Sequence, residues 1–439
     1  MDDFVMVEHD PPESSTGPDY LDAIGSTINS LSDDLRTISL AIHDRPELQY
    51  KEYHAHRVLT EYVTQVEGWQ VTPSAYDIDT AFVAVYDSGR QGATVSFNAE
   101  YDALKGIGHA CGHNLIAVAS FGAALATAQA LKDNCLDGKV VLFGTPAEEG
   151  GGGKIKLLNA GAYRDHQVDV SLISHPGISR DAALVRTAAY SALKAEYFGR
   201  EAHAAARPWE GVNALDALIV AYNAISVLRQ QTRPGDIVQG MITNGGLRPN
   251  IIHAYSAGRF VIRSTSHARV EELKKRVHAC FEAGATATGA ELKITQAGAY
   301  ADHVPNRVLG RTFRHIFNRL GGHIPEGNVD ILQSVTQAST DQGKLHPRYR
   351  ADKLLTFHTG DISHAMPSLS PNFWIRSEGE DGKQLGGPHT PAFEKAARTE
   401  EAHWCAMRVA KALAATAVEI LIKPKLLEDA KKDFEQQSQ

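Results

Sequence analysis

The chain has 439 residues, longer than one ordinary hydrophobic core supports, so two domains are expected. Hydrophobic residues make up 43% and charged residues 22%, with a net charge of −8; this excludes collagen-like, disulfide-scaffold and wholly disordered chains, and the acidic balance argues against nucleic acid as a partner. The four cysteines, Cys111, Cys135, Cys280 and Cys405, stand too far apart for a disulfide lattice, and a reducing, cytoplasmic compartment is expected.

In chain order, residues 1–18 are acidic, carry two adjacent prolines and lack an apolar core, so they read as a disordered tail rather than a secretory signal. From about Tyr20 to Gln65 apolar residues recur at spacings of three and four, predicting helix. Strand-like runs follow at Thr80–Tyr86, Ala93–Ala99, Lys139–Thr145 and Val168–Ser174. Helical segments separate several of them, which predicts an α/β sheet flanked by helices. The apolar windows Asn114–Leu131 and Val409–Ile422 read as buried helices, not membrane spans.

Around Ala188 the texture changes. Ala188–Phe198 is strand-like, Ala214–Gln231 helical, Val238–Asn244 and Tyr255–Ser264 strand-like, His267–Gly284 helical and Glu291–Gln296 strand-like. That β-α-β-β-α-β order is ferredoxin-like. The expected architecture is an α/β domain, residues 19–187 and 303–424, interrupted by an inserted unit at 188–302. Helices are predicted at Arg307–Leu320 and from about Pro391 to Ile422. The remainder, 425–439, is charged and reads as a fraying tail.

Four segments carry candidate chemistry. Cys111-Gly112-His113 follows a strand-like run. A glycine-bearing turn can aim thiolate and imidazole to one side, a pair that suits zinc. Glu148-Glu149 precedes four glycines; neighbouring side chains diverge, so one carboxylate can bind a cation while the other faces a water. His175 follows the run Val168–Ser174, and His389 lies in the turn Gly386-Gly-Pro-His-Thr-Pro391. Each has a plainer reading alone: a core cysteine and histidine, a solvated acidic loop, a structural histidine, a turn histidine. Together they match a two-cation site. Three of the four follow strands, where open α/β sheets build their sites. Two tetrahedral cations need about eight positions. Cys111, His113, Glu149, His175 and His389 fill five, or six if one bridges, with solvent for the remainder. Glu148 is left as a general base for hydrolysis.

At these residues the chain resembles metallopeptidase family 20, over about Tyr20–Ile422. The matching segments are His43-Asp-Arg-Pro-Glu-Leu48 with Glu52, His109-Ala-Cys-Gly-His113 and Pro146-Ala-Glu-Glu-Gly150. The motif around Cys111 is similar to the amidohydrolase branch, and Asn114-Leu-Ile-Ala117 to its aminobenzoyl-glutamate hydrolases and β-alanyl-lysine-type dipeptidases. The resemblance implies a di-metal exopeptidase-like α/β/α domain with an inserted ferredoxin-like dimerisation domain. It implies metal ligation by the five residues above and a proton shuttle at Glu148; the Cys111 thiolate makes zinc the first expectation and manganese the second. It further implies that Asp102 orients a ligand imidazole, that His203 reaches the active site of the neighbouring subunit in a homodimer, and that Asn250 and Arg248 contact substrate. The implied activity is hydrolysis of an N-acyl amino acid, an amino-acid conjugate or a dipeptide.

One departure stands out. Ser339-Thr-Asp-Gln-Gly343 and Asp361-Ile-Ser-His364 are separated by residues 344–360, whose removal would restore the subgroup's continuous motif. Gly343-Lys344 can be encoded across a GT-AAG donor and His358-Thr-Gly360 with a CAG-type acceptor, so an intron retained in frame is expected; the alternative is a genuine surface loop. The rival functional reading is a non-catalytic homologue, disabled by this insert, that acts as a binding or scaffolding protein.

Overall fold

In the computed structural model, residues 19–326, 331–334, 362–379 and 382–437 are described. The expected tail 1–18 and the expected insert 344–360 lie outside them.

Helices α1 (Leu21–His43) and α2 (Tyr53–Thr64) open the fold. The continuous helical run expected to Gln65 is broken between them, a correction with a local cause. Pro46 offers no N–H, and the ring disfavours helical backbone at Arg45 before it. Strands β1 (Trp69–Pro73), β2 (Phe82–Asp87) and β3 (Thr94–Glu100) follow, then α3 (His113–Asp133), β4 (Lys139–Thr145), α4 (Gly153–Ala160) and β5 (Val170–Leu172). The next unit is β6 (Ala189–Phe198), α5 (Ala214–Leu228), β7 (Ile237–Asn244), β8 (Tyr255–Ser264), α6 (His267–Thr288) and β9 (Glu291–Tyr300). Helix α7 (Arg307–Arg319), the short strand β10 (Ser368–Leu369) and helices α8 (Pro391–Ala397), α9 (Glu400–Ile422) and α10 (Pro424–Gln437) complete the chain.

The larger sheet has the order β1-β2-β4-β3-β5-β10. Strands β3, β4, β5 and β10 run parallel, whereas β1 and β2 are antiparallel to their neighbours. Parallel strands are covered on both faces, and every residue of β3 is buried. Helix α3 has the length and apolarity of a membrane span, yet 94% of its apolar window is buried inside the fold, where it packs with α1 and α9. A helix that is apolar all round is a core helix in this setting.

The smaller sheet is antiparallel, in the order β7-β8-β6-β9. Helices α5 and α6 cover one face through a separate core containing Tyr197, Leu218, Phe260, Leu273 and Phe281. The chain is therefore a mixed α/β fold with a second, ferredoxin-like unit, as the periodicity predicts.

Two further expectations are corrected. The single C-terminal helix is two helices, because the Thr399 side chain accepts the Ala402 N–H and starts α9 anew. The charged tail does not fray within the described residues. Residues 424–437 form α10, which docks through buried Ala430 and through Asp433, paired to Arg307 Nε at 2.6 Å. Asn306 also donates to the Ala430 carbonyl at 2.8 Å. Leu426, Leu427, Ala430 and Asp433 share one helical face, which charge density alone conceals.

Candidate active site

Because β3, β4 and β5 are parallel, their C-terminal ends share one edge of the sheet. Glu100 ends β3 and Asp102 follows it; Glu148 and Glu149 follow β4; His175 follows β5. Cys111 and His113 come from the loop that leads into α3. Gly112 between them has φ +77°, and a Cβ there would sit 2.6 Å from Pro176 Cγ. The tight Cys-Gly-His turn thus demands glycine. His389 arrives from the loop before α8, where its N–H donates to the Ala110 carbonyl at 2.7 Å.

The structure brings all five expected metal ligands together. Cys111, His113 and His175 place donor atoms within 4.8 Å of one another, and so do Cys111, Glu149 and His389. Cys111 is common to both groups. Its Sγ lies 3.4 Å from His175 Nε2, and His389 Nε2 lies 2.9 Å from Glu149 Oε1. A third group, Glu100, His113 and Glu148, adjoins them. Glu100 and Lys154, which pairs with it, are not anticipated from sequence. The available signal is the Glu-Tyr-Asp triplet at a strand end.

The donor chemistry fits cations. His113 Nδ1 faces the Asp102 carbonyl at 2.8 Å and its carboxylate at 3.1 Å. With Asp102 engaging Nδ1, Nε2 is the nitrogen left to face a cation, and that buried nitrogen has no hydrogen-bond partner among the described residues. Likewise His175 Nδ1 faces the Pro176 carbonyl at 2.6 Å, turning Nε2 toward Cys111. Asp102 has a second task, because its other oxygen accepts the Glu149 N–H at 2.9 Å. Four acidic side chains converge here with one lysine, an arrangement that is costly unless positive charge offsets it.

Without a cation, burial lowers the His113 imidazole but the charges of Cys111 and Asp102 outweigh it and hold it well above the ordinary range, a direction that a bound cation reverses. Burial, and then the charges of Glu100 and Glu149, push the Glu148 carboxyl well above the ordinary range. Burial also raises Glu149, but the close contact with His389 and the charge of His113 outweigh it and hold Glu149 at about 2. Burial and the neighbouring His113 lower His175 to about 3, which keeps its imidazole neutral as a ligand must be. Burial and the Glu149 charge raise the Cys111 thiol, a direction that a bound cation reverses.

The loop carrying the two glutamates is held from behind. Glu52 accepts the Ala147 N–H at 2.9 Å and the Thr80 hydroxyl at 2.8 Å, and Gln49 donates to the Glu149 carbonyl at 2.6 Å. Burial and the nearby Asp102 charge raise Glu52 to about 7. The glycines permit close approach: a Cβ on Gly153 would lie 1.8 Å from the Pro146 carbonyl oxygen. Gly153→Ala is accordingly expected to destabilise the fold by about 1–3 kcal/mol, read as a lower melting temperature, and to lower activity further by moving Glu148. An unchanged melting curve would contradict this packing.

His203, Arg248 and Asn250 lie apart from this cluster, exposed on the smaller unit. His203 pairs opposite Ile251 in a two-residue ladder, and Ala204 N–H donates to the Asn250 carbonyl at 3.0 Å. Among the described residues, none of the three bonds to the metal-site side chains.

The sequence pattern of peptidase family M20/M25/M40 matches residues 84–421. A human protein named Xaa-Arg dipeptidase is 38% identical, the match covering 93% of this chain and 90% of that one. One of the two p-aminobenzoyl-glutamate hydrolase subunits of Escherichia coli K12 is 27% identical over 90% of each chain. Among solved structures, a dinuclear metal-binding M20 peptidase of Bacillus subtilis superposes with a TM-score of 0.58 at 17% identity, covering 91% of this chain and 99% of that chain. An aminobenzoyl-glutamate utilization protein of Klebsiella pneumoniae also superposes with a TM-score of 0.58, at 16% identity, covering 90% and 98%.

Proposed function

We propose that this chain, which belongs to peptidase family M20/M25/M40 and is a hydrolase of peptide or amide bonds, cleaves dipeptides with a basic C-terminal residue and uses two divalent cations. The observation that carries the cation pair is the sharing of Cys111 between two donor groups, Cys111-His113-His175 and Cys111-Glu149-His389. Thiolate and imidazole donors favour zinc, with manganese second. When bound, such ions polarise the scissile carbonyl and make water acidic near neutral pH.

The chain's own residues supply the rest. Glu148 takes a proton from the attacking water and returns it to the leaving amine. Asp102 fixes the ring of His113 and the backbone of Glu149. His203 Nδ1 accepts the N–H groups of Ala205 and Ala206 at 3.2 and 3.1 Å, so the ring carries its proton on Nε2 and can donate outward. We assign that donor to the developing oxyanion in a neighbouring subunit. Asn250 is assigned to the substrate carbonyl and Arg248 to the C-terminal carboxylate, which suits a planar guanidinium.

A homodimer through the smaller unit is supported by its exposed apolar residues. Trp209, Val227, Met241, Ile242 and Leu247 are all exposed in the single chain, and β7, which carries Met241 and Ile242, is an edge strand. The four cysteines are unpaired, consistent with a cytoplasmic setting.

The C-terminal arginine rests on the similarity to the human Xaa-Arg dipeptidase across almost the whole chain, and its extension to lysine on the likeness of Asn114-Leu-Ile-Ala117 to β-alanyl-lysine-type dipeptidases. With zinc-loaded protein, kcat/KM for Xaa-Arg and Xaa-Lys dipeptides is expected to exceed that for N-acetyl amino acids and p-aminobenzoyl-glutamate by at least about tenfold, the scale on which pocket contacts discriminate. Equal or faster turnover of the acyl conjugates would overturn the dipeptide assignment and leave the hydrolase standing.

A further inference from the structure

Two buried side chains outside the five-donor set border the same space. Glu100 is fully buried at the end of β3; one of its oxygens, Oε1, is paired with the ammonium of Lys154. Its other oxygen, Oε2, lies 3.4 Å from His113 Nε2 and has no hydrogen-bond partner among the described residues. Lys154 is itself buried, in the first turn of α4, directly after the glycine run. Glu148 Oε2 lies 3.7 Å from the same His113 nitrogen.

Burial among other carboxylates makes an ionised carboxylate costly unless a partner offsets it. Lys154 is that partner: it engages one oxygen of Glu100 with a full positive charge and leaves the other facing His113 Nε2 at 3.4 Å. Neither that oxygen nor His113 Nε2 has a hydrogen-bond partner among the described residues, and Glu100, His113 and Glu148 place donor atoms within 4.8 Å of one another, as a cation between them requires.

We propose that Lys154 is a positioning residue for the His113 side of the cation site, acting through Glu100. By holding Oε1, it fixes the carboxylate of Glu100 and directs Oε2 toward His113 and Glu148, so that Glu100 strengthens cation binding there. The assignment rests on the cation-pair reading above and adds two residues to it.

The test uses the full chain, zinc ions and a competing chelator, with the zinc retained per chain measured at each chelator concentration. The wild-type chain is expected to hold two zinc ions. Lys154→Met and Glu100→Gln should each weaken one of the two by about 10–100-fold, the range seen when a partner behind a metal ligand is lost, and leave the other unchanged. Melting of the metal-free proteins separates folding from binding, since a structural role alone would lower both. Lys154→Met leaves Glu100 buried without a counter-charge and can fail to fold. The double variant Glu100→Gln/Lys154→Met removes both charges, and it should bind zinc no more weakly than Glu100→Gln alone. Additive losses in the double variant, or unchanged affinity in Lys154→Met, would overturn the assignment while the wild-type count of two keeps the cation pair intact. A wild-type chain that holds fewer than two ions would overturn the cation pair and this assignment with it.

Discussion

Glu148→Gln is expected to lower kcat on a dipeptide by about 10²–10⁴-fold, the usual contribution of a positioned acid–base group, while zinc content and KM stay near their wild-type values. The geometry separates the two adjacent glutamates into two roles. Glu149 points to His389 at 2.9 Å and is held ionised at about 2 by that contact, as a ligand should be. Glu148 has no contact as close, since its nearest imidazole nitrogen, His113 Nε2, lies 3.7 Å away. Burial and the charges of Glu100 and Glu149 instead raise its affinity for a proton, which is what a group that accepts and later returns a proton requires. Glutamine keeps the volume and one carbonyl oxygen but cannot carry the proton. Steady-state kinetics and metal analysis on the same preparation check this. Unchanged turnover would remove Glu148 from the mechanism, and loss of zinc together with turnover would make it a ligand.

Cys111→Ala is expected to have the largest effect on metal content. Because Cys111 belongs to both donor groups, its loss should weaken both ions, by more than the roughly 10–100-fold that losing an outer partner costs, and abolish measurable turnover. His389→Ala touches only the group containing Glu149, so it should weaken one ion and spare the other. The contrast matters because the two side chains differ in setting: Cys111 is buried, whereas the His389 side chain is 54% exposed. Equal metal loss in the two variants would mean that Cys111 is not shared.

Much of this site is legible in the sequence because the chemistry is compressed into short segments at strand ends. Cys-Gly-His and Glu-Glu followed by four glycines are unusual combinations whose local geometry follows from glycine, and the structure uses Gly112 and Gly153 for the close approaches that the motifs suggest. The ferredoxin-like unit is legible for another reason: its strands and helices follow in a β-α-β-β-α-β order, and in β6 buried and half-buried positions alternate along most of the strand. What escapes is long-range or hidden by composition. Glu100 and Lys154 are 54 residues apart, and a lysine after a glycine run reads as a surface charge until β3 and α4 are brought together. The break at Pro46 and the cap at Thr399 are local signals overridden by strong helical periodicity on either side. Helix α10 hides its packing face beneath a high charge density, since the burial of Asp433 depends on Arg307 far away in the chain. His203, Arg248 and Asn250 belong to a surface whose partner is not in the single chain, so the family motif speaks for them more strongly than their local contacts do.

The most direct measurement is anomalous scattering at the zinc edge from crystals of the zinc-loaded protein. Two peaks per chain are expected, one among Cys111, His113 and His175 and the other among Cys111, Glu149 and His389, with Glu148 bound to neither. A single peak, or peaks remote from Cys111, would contradict the shared-thiolate cation pair on which the proposed chemistry depends.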